Sequence, residues 1–115
     1  MSSTPQFDYD DFCSRMGGNQ ALMGVVAKEF IRESAEIIAL LDIAVEQLDY
    51  AEIKRLAHRL KGASAEVSAT TLHQASQMLG SAAEAKDNQE IKARLGVILA
   101  SHNVVGKDIK QVLAL

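Results

Sequence analysis

The sequence predicts an all-α protein, an antiparallel up-down-up-down four-helix bundle with a short additional N-terminal helix. Three observations carry this expectation. The single proline, Pro5, lies in the polar opening MSSTPQ, so only glycines and capping residues can stop a helix in the rest of the chain. Aromatic residues make up 4%, and no run alternates apolar and polar residues over strand length between turn pairs. Apolar residues instead recur three and four apart, in long stretches parted by short polar breaks.

Residues 1–6 read as a disordered tail, and residues 7–115 as one domain. Phe7, Phe12 and Met16, spaced five and four apart, mark the short first helix, which Gly17 and Gly18 end. Asn19 is a suitable N-cap for a long second helix that runs to about Leu48, with Leu22, Val26, Phe30, Ile37, Leu41, Ala44 and Leu48 as its apolar stripe. Asp49 caps the third helix, and Glu52 three residues later offers a capping box. Ile53, Leu56, Leu60, Ala63 and Val67 supply its buried face, and it ends near Ser68 and Ala69. Thr70 or Thr71 starts a fourth helix with Leu72, Ala75, Leu79 and Ala82 or Ala83 inward. The polar stretch KDNQ, residues 86–89, interrupts it. From Glu90 the last helix carries Ile91, Leu95, Ile98, Leu99, Val105, Ile109, Val112 and Leu113. Short links between long amphipathic helices favour antiparallel neighbours.

Apolar residues at 48% and charged residues at 23% are ordinary for a folded globular protein. The formal charge of −3 and the absence of Lys/Arg clusters interleaved with aromatics argue against nucleic acid as a partner. One cysteine, Cys13, excludes an intrachain disulfide, and neither an export signal nor a membrane span can be picked out, so a cytoplasmic protein is expected. The charged outward faces favour a monomer.

The segment with chemical content is Ala57-His58-Arg59-Leu60-Lys61-Gly62-Ala63-Ser64. At 100° per residue His58 lies about 160° from both Leu56 and Leu60, so the geometry that buries the leucines turns the imidazole to water. Lys54, Lys61 and Gly62 share its strip, at four before, three after and four after. An imidazole substantially neutral near pH 7 keeps a nitrogen lone pair for attack on phosphorus. A lysine ammonium one turn away can steady the phosphoryl oxygens, with Lys54 or Arg55 assisting. A mid-helix glycine costs about 1 kcal/mol relative to alanine, and a bare patch that lets a partner approach the imidazole would explain Gly62. Taken singly, an exposed helical histidine is most often only a solvated residue. It is the conjunction with lysine at three and glycine at four, in a helical bundle, that shifts the balance.

The segment AHRLKGASAEVSATTL, residues 57–72, resembles the signature of the histidine-containing phosphotransfer (HPt) family, of which AHxLKGSSxxxGAxxL is a common form. MGGNQALMGVVAKEF, residues 16–30, is similar to the family stretch that opens the second helix, with Phe30 in the aromatic position. The resemblance covers most of the chain and fades after about residue 85. It implies that His58 accepts the phosphoryl group, that Lys61 stabilises it, and that Gly62 gives close approach. It implies receiver domains, or a hybrid sensor histidine kinase carrying one, as partners. Phosphoryl flow would then run between His58 and receiver aspartates, with Mg2+ held by the receiver and no cofactor or metal on this chain. No kinase activity of its own is expected, since neither a GxxxxGK[ST] nor a GxGxxG loop is present. Ala57, Ala65, Lys54 and Arg55 are expected around the docking surface. Two positions depart from the pattern: Ser68 stands where a turn glycine is usual, and Gly80 where members often carry Gln or Glu to orient the imidazole. Gln77 and Glu84, one turn to either side, are the candidates to replace that bond.

The competing reading from another class is an HPt-like bundle that binds a signalling partner without phosphotransfer, with Gly80 as its best support. A di-metal carboxylate bundle is disfavoured because the Glu-x-x-His pairs it needs are missing. His73 and His102 have no metal-binding partner three or four residues away, Met16, Met23 and Met78 read as core filling, and Cys13 as packing.

Overall fold

A computed structural model describes residues 6–115, so the expected disorder of residues 1–5 lies outside the described residues. Gln6, the last residue of that expected tail, is tied to the bundle, because Ser101 Oγ donates to its Oε1 at 2.6 Å. Five helices follow: α1 (Tyr9–Arg15), α2 (Gln20–Glu46), α3 (Tyr50–Glu66), α4 (Thr70–Glu84) and α5 (Asn88–Leu113). No strand occurs among the described residues. At 1.5 Å per residue the 27 residues of α2 span about 40 Å. The whole molecule is 41 Å long, so each short turn must send the chain back alongside itself. α3 packs most extensively on α4, α4 on α5 and α2 on α3; α2 meets α5 to close the ring, and α1 lies against α2.

The four turns share one device. Each helix ends in a left-handed residue whose successor donates its N–H five residues back: Gly18 to Cys13 O, Asp49 to Ala44 O, Ala69 to Ser64 O and Asp87 to Ala82 O, at 2.9–3.0 Å. These are Schellman closures, and they satisfy carbonyls that the helix leaves unpaired. Gly17 and Gly18 take the left-handed φ of +64° and +72° without steric cost, whereas Leu48, Ser68 and Lys86 adopt +53° to +59° with a side chain present. The serine that departs from the family turn therefore holds the glycine-like conformation anyway. Its hydroxyl donates to Asp11 Oδ2 at 2.6 Å, and its carbonyl accepts from Asp8 N at 3.0 Å, fastening α1 to the α3–α4 turn.

The next helix begins almost at once. Asn19, Asp49 and Asp87 accept from the backbone N–H of Leu22, Glu52 and Glu90 at 3.0, 3.2 and 3.1 Å. At Asp49 only this half of the expected capping box forms, because the Glu52 carboxylate accepts from Arg55 instead. Ala69 stands at the same position of α4 with no side-chain cap.

One core runs through the bundle. Met23, Ile37 and Leu41 of α2 meet Ile53, Leu56 and Leu60 of α3, Leu72 and Leu79 of α4, and Ile91, Ile98 and Ile109 of α5, all without solvent exposure. Phe7 and Phe12, with ring centres 5.8 Å apart, add to it from the N-terminal segment. Four stripe expectations are corrected: Leu22, Leu48, Leu99 and Val112 are exposed. The α2 stripe starts one residue later, at Met23, and Ile98 takes the inward position that its neighbour Leu99 loses by a 100° step. Leu48 has already left the helix in its left-handed turn. The outward faces are thus less uniformly charged than expected, with Val25 66% and Ile43 54% exposed. No helix among the described residues is long and apolar enough to cross a membrane.

α2 and α5 also meet through polar groups. His102 Nε2 lies 2.8 Å from the Oγ of fully buried Ser34, and the imidazole ring packs against Phe30. Burial holds the His102 pKa below its ordinary 6.5. The unfolded chain consequently binds this proton first as pH falls, and folding stability is lost between 6.5 and the lower folded-state value. We expect the urea midpoint to drop from pH 7.5 to 5.5, and the drop to be smaller in His102→Gln. Equal slopes in the two proteins would refute this.

Candidate functional site

α3 is amphipathic, and its buried leucines fix the roll of the helix. With Ile53, Leu56 and Leu60 in the core, His58 comes out exposed in the middle of the helix. Beside it a groove of about 840 Å³ opens between α3 and α4. Its α3 wall is formed by Ala51, Lys54, Arg55, Ala57, His58, Arg59 and Lys61, and its α4 wall by Ser76, Gln77, Gly80, Ser81 and Glu84. Small residues of the two helices, Ala57 and Gly80, face each other in the groove. A Cβ built on Gly80 would meet only the Cβ of Ala57, at 3.8 Å, an ordinary contact.

Four cations line this groove, and three already have acidic partners. Lys54 Nζ bonds Glu84 across the helices. Arg55 binds Glu52 at 2.6 Å, and Arg59 lies 3.6 Å from Glu33. Lys61 has no carboxylate partner among the described residues. The Lys54 bond holds the Glu84 carboxyl below the usual carboxylate range, and the Arg55 bond does the same for Glu52.

Several expectations change at this point. Glu84 does not orient His58, because the Lys54 ammonium takes its carboxylate. Gln77 lines the groove, yet no hydrogen bond joins it to the imidazole. Ala57 is 1% exposed, a floor residue covered by α4 rather than part of an outer docking face. Ala65 lies away from His58, in a separate recess with Asp11, Arg15 and His73, where its carbonyl accepts from Arg15. Gly62 is exposed, and a Cβ there would meet nothing within 4 Å, so internal packing does not require the glycine.

His73 has a place that its sequence neighbours do not reveal. Its Nδ1 lies 3.0 Å from the backbone carbonyl of Lys61, and since a carbonyl can only accept, Nδ1 carries the proton. The bond pins the first turn of α4 to α3 at the lysine beside the groove. No spacing rule could find it, because the partner is main chain on another helix.

An outward imidazole on a rigid, buried-backed helix, open to a protein partner from one side, has the build of a phosphoryl carrier. The chain belongs to the Hpt domain family, whose sequence profile matches residues 25–112. Among solved structures, the crystal structure of histidine-containing phosphotransfer protein B (HptB) from Pseudomonas aeruginosa is similar, with a TM-score of 0.89 over 97% of each chain. The two are 22% identical, and the likeness is one of fold. No curated protein matches the chain. Hpt domains are phosphocarriers of phosphorelays that work with receiver domains and histidine kinases; histidine phosphotransfer is accordingly this chain's function, and the reading as a binding bundle without phosphotransfer is not favoured.

Proposed function

We propose that His58 is the phosphoryl acceptor, with Lys61 stabilising the transferred group. One observation carries the choice. Of the three histidines, His73 is bonded to the Lys61 carbonyl and His102 to Ser34, while His58 alone is exposed with no hydrogen bond to its ring among the described residues. Its ring nitrogen attacks the phosphorus of a receiver's aspartyl phosphate in line, an N–P bond forms, the acyl O–P bond breaks, and the aspartate leaves as carboxylate. The reverse step hands the group to an aspartate of an acceptor receiver. Mg2+ and the groups that activate the aspartate belong to the receiver, and the chain works without kinase activity, as a monomer in the cytoplasm.

Incubation with radiolabelled phosphorylated receiver domains tests this. The expected result is acid-labile, base-stable label on the native chain. Acid-stable label, or no label from any receiver, would overturn the assignment.

Gly62 gives a result with two opposed signs. Gly62→Ala should raise folding stability by about 1 kcal/mol, since it adds helix propensity at an open position. Gly62→Gln should slow transfer from a receiver roughly tenfold, equivalent to about 1.4 kcal/mol of lost docking. Urea unfolding and transfer rates, measured on both variants, separate the effects; transfer by Gly62→Gln at the native rate would show that the bare patch is not used.

A further inference from the structure

The His58 ring faces a groove that the protein leaves open on the side of α4. Gly80 contributes no side chain there, Ser76 is spent on the Leu72 carbonyl at 2.8 Å, Glu84 is spent on Lys54, and Gln77 and Ser81 line the wall without a hydrogen bond to the ring. A Cβ at Gly80 would meet only Ala57, at 3.8 Å, and the groove continues open beyond it. Three of the four lining cations are paired, Lys54 with Glu84, Arg55 with Glu52 and Arg59 with Glu33, and Lys61 is left without a carboxylate among the described residues. An imidazole that attacks through one nitrogen must carry its proton on the other, and an acceptor for that N–H fixes the tautomer, holds the ring plane and stabilises the positive charge that develops on phosphorylation.

We propose that the docking receiver supplies this acceptor in trans, as a carboxylate side chain that enters the α3–α4 groove over Gly80 and accepts from the second ring nitrogen of His58. This rests on His58 being the phosphoryl acceptor. The ammonium of Lys61, which has no carboxylate among the described residues, selects a carboxylate over a neutral side chain, and the small residues Gly80 and Ala57 leave space for it. The dyad is complete only in the docked complex, so the slot also discriminates among receivers, favouring one that carries an acidic residue at the matching point of its docking face.

The test compares two phosphoryl donors on the native chain, Gly80→Glu and Gly80→Leu, with a thermal melt to establish that each variant is folded. Phosphoramidate, a small donor, needs no docking; the second donor is the phosphorylated receiver domain that labels the native chain. The measured quantities are the phosphoramidate rate and the ratio of receiver rate to phosphoramidate rate. Gly80→Glu places the carboxylate in cis, and its phosphoramidate rate should rise about tenfold, the lower end of the effect that a carboxylate behind a metal-bound histidine has. Gly80→Leu should show no such rise. In both variants the slot is filled, and the ratio should fall tenfold or more. A ratio at or above the native value in both would overturn entry of a receiver side chain, and equal phosphoramidate rates in Gly80→Glu and Gly80→Leu would overturn the carboxylate. A native chain that neither donor labels would instead overturn the acceptor assignment, and the slot with it.

Discussion

His58→Gln is expected to abolish labelling from every receiver, to below a thousandth of the native rate, while leaving the fold and its stability within about 0.5 kcal/mol of native. The first half follows from chemistry: the glutamine amide nitrogen has its lone pair delocalised into the carbonyl, so position 58 no longer offers a nucleophile. The second half follows from position. The His58 side chain is exposed and has no hydrogen bond in the folded protein, whereas Leu56 and Leu60 on either side are fully buried. Quantitative label transfer and urea unfolding on the same preparation check both halves. His73→Gln and His102→Gln form the contrast set, because both remove structural bonds. They should keep the label, and label retained by His58→Gln but lost from either of them would move the acceptor to another ring.

The bundle was legible because its determinants are local. Apolar spacing of three and four, Asn19 and Asp49 as caps, and the glycine pair after α1 each act within one or two turns of chain, and each appears where it was expected. The misplacements occur where a local rule leaves two answers. Leu22 beside Met23, and Leu99 beside Ile98, are equally apolar neighbours 100° apart, and only the packing partner decides which is inward. The site divides in the same way. Exposure of His58 follows from its angle to Leu56 and Leu60, a property of one helix. The roles of Lys54, Glu84, Ala57 and His73 depend on how α4 lies across α3. Lys54 and Glu84 are 30 residues apart in sequence, and the capture of one by the other both removes the expected orienting carboxylate and neutralises the expected auxiliary cation. Ala57 sits within an apparently accessible segment, and Gly80 on the facing helix brings α4 close enough to cover it.

Lys61→Ala is expected to slow phosphoryl transfer about a hundredfold, and Lys54→Ala by no more than about threefold, although both lysines lie one turn from His58. A fixed cation beside the phosphoryl oxygens stabilises charge that a solvent-exposed ammonium held elsewhere does not, and loss of one such group costs about 10²-fold. Among the cations lining the groove, Lys61 is the one with no acidic partner among the described residues, and the His73 bond to its carbonyl steadies the backbone from which it projects. Lys54 must first leave Glu84 before it can reach phosphate, and in native protein that carboxylate competes directly for the ammonium. The competition has a testable consequence. Glu84→Gln should release Lys54, so that Lys61→Ala with Glu84→Gln recovers part of the lost rate, while Lys61→Ala with Lys54→Ala recovers none. Comparing the three transfer rates at low and high salt checks the electrostatic origin, since screening should shrink the differences among them. If Lys61→Ala transferred within twofold of the native rate, the receiver would be supplying the charge stabilisation, and the lysine beside His58 would have no part in it.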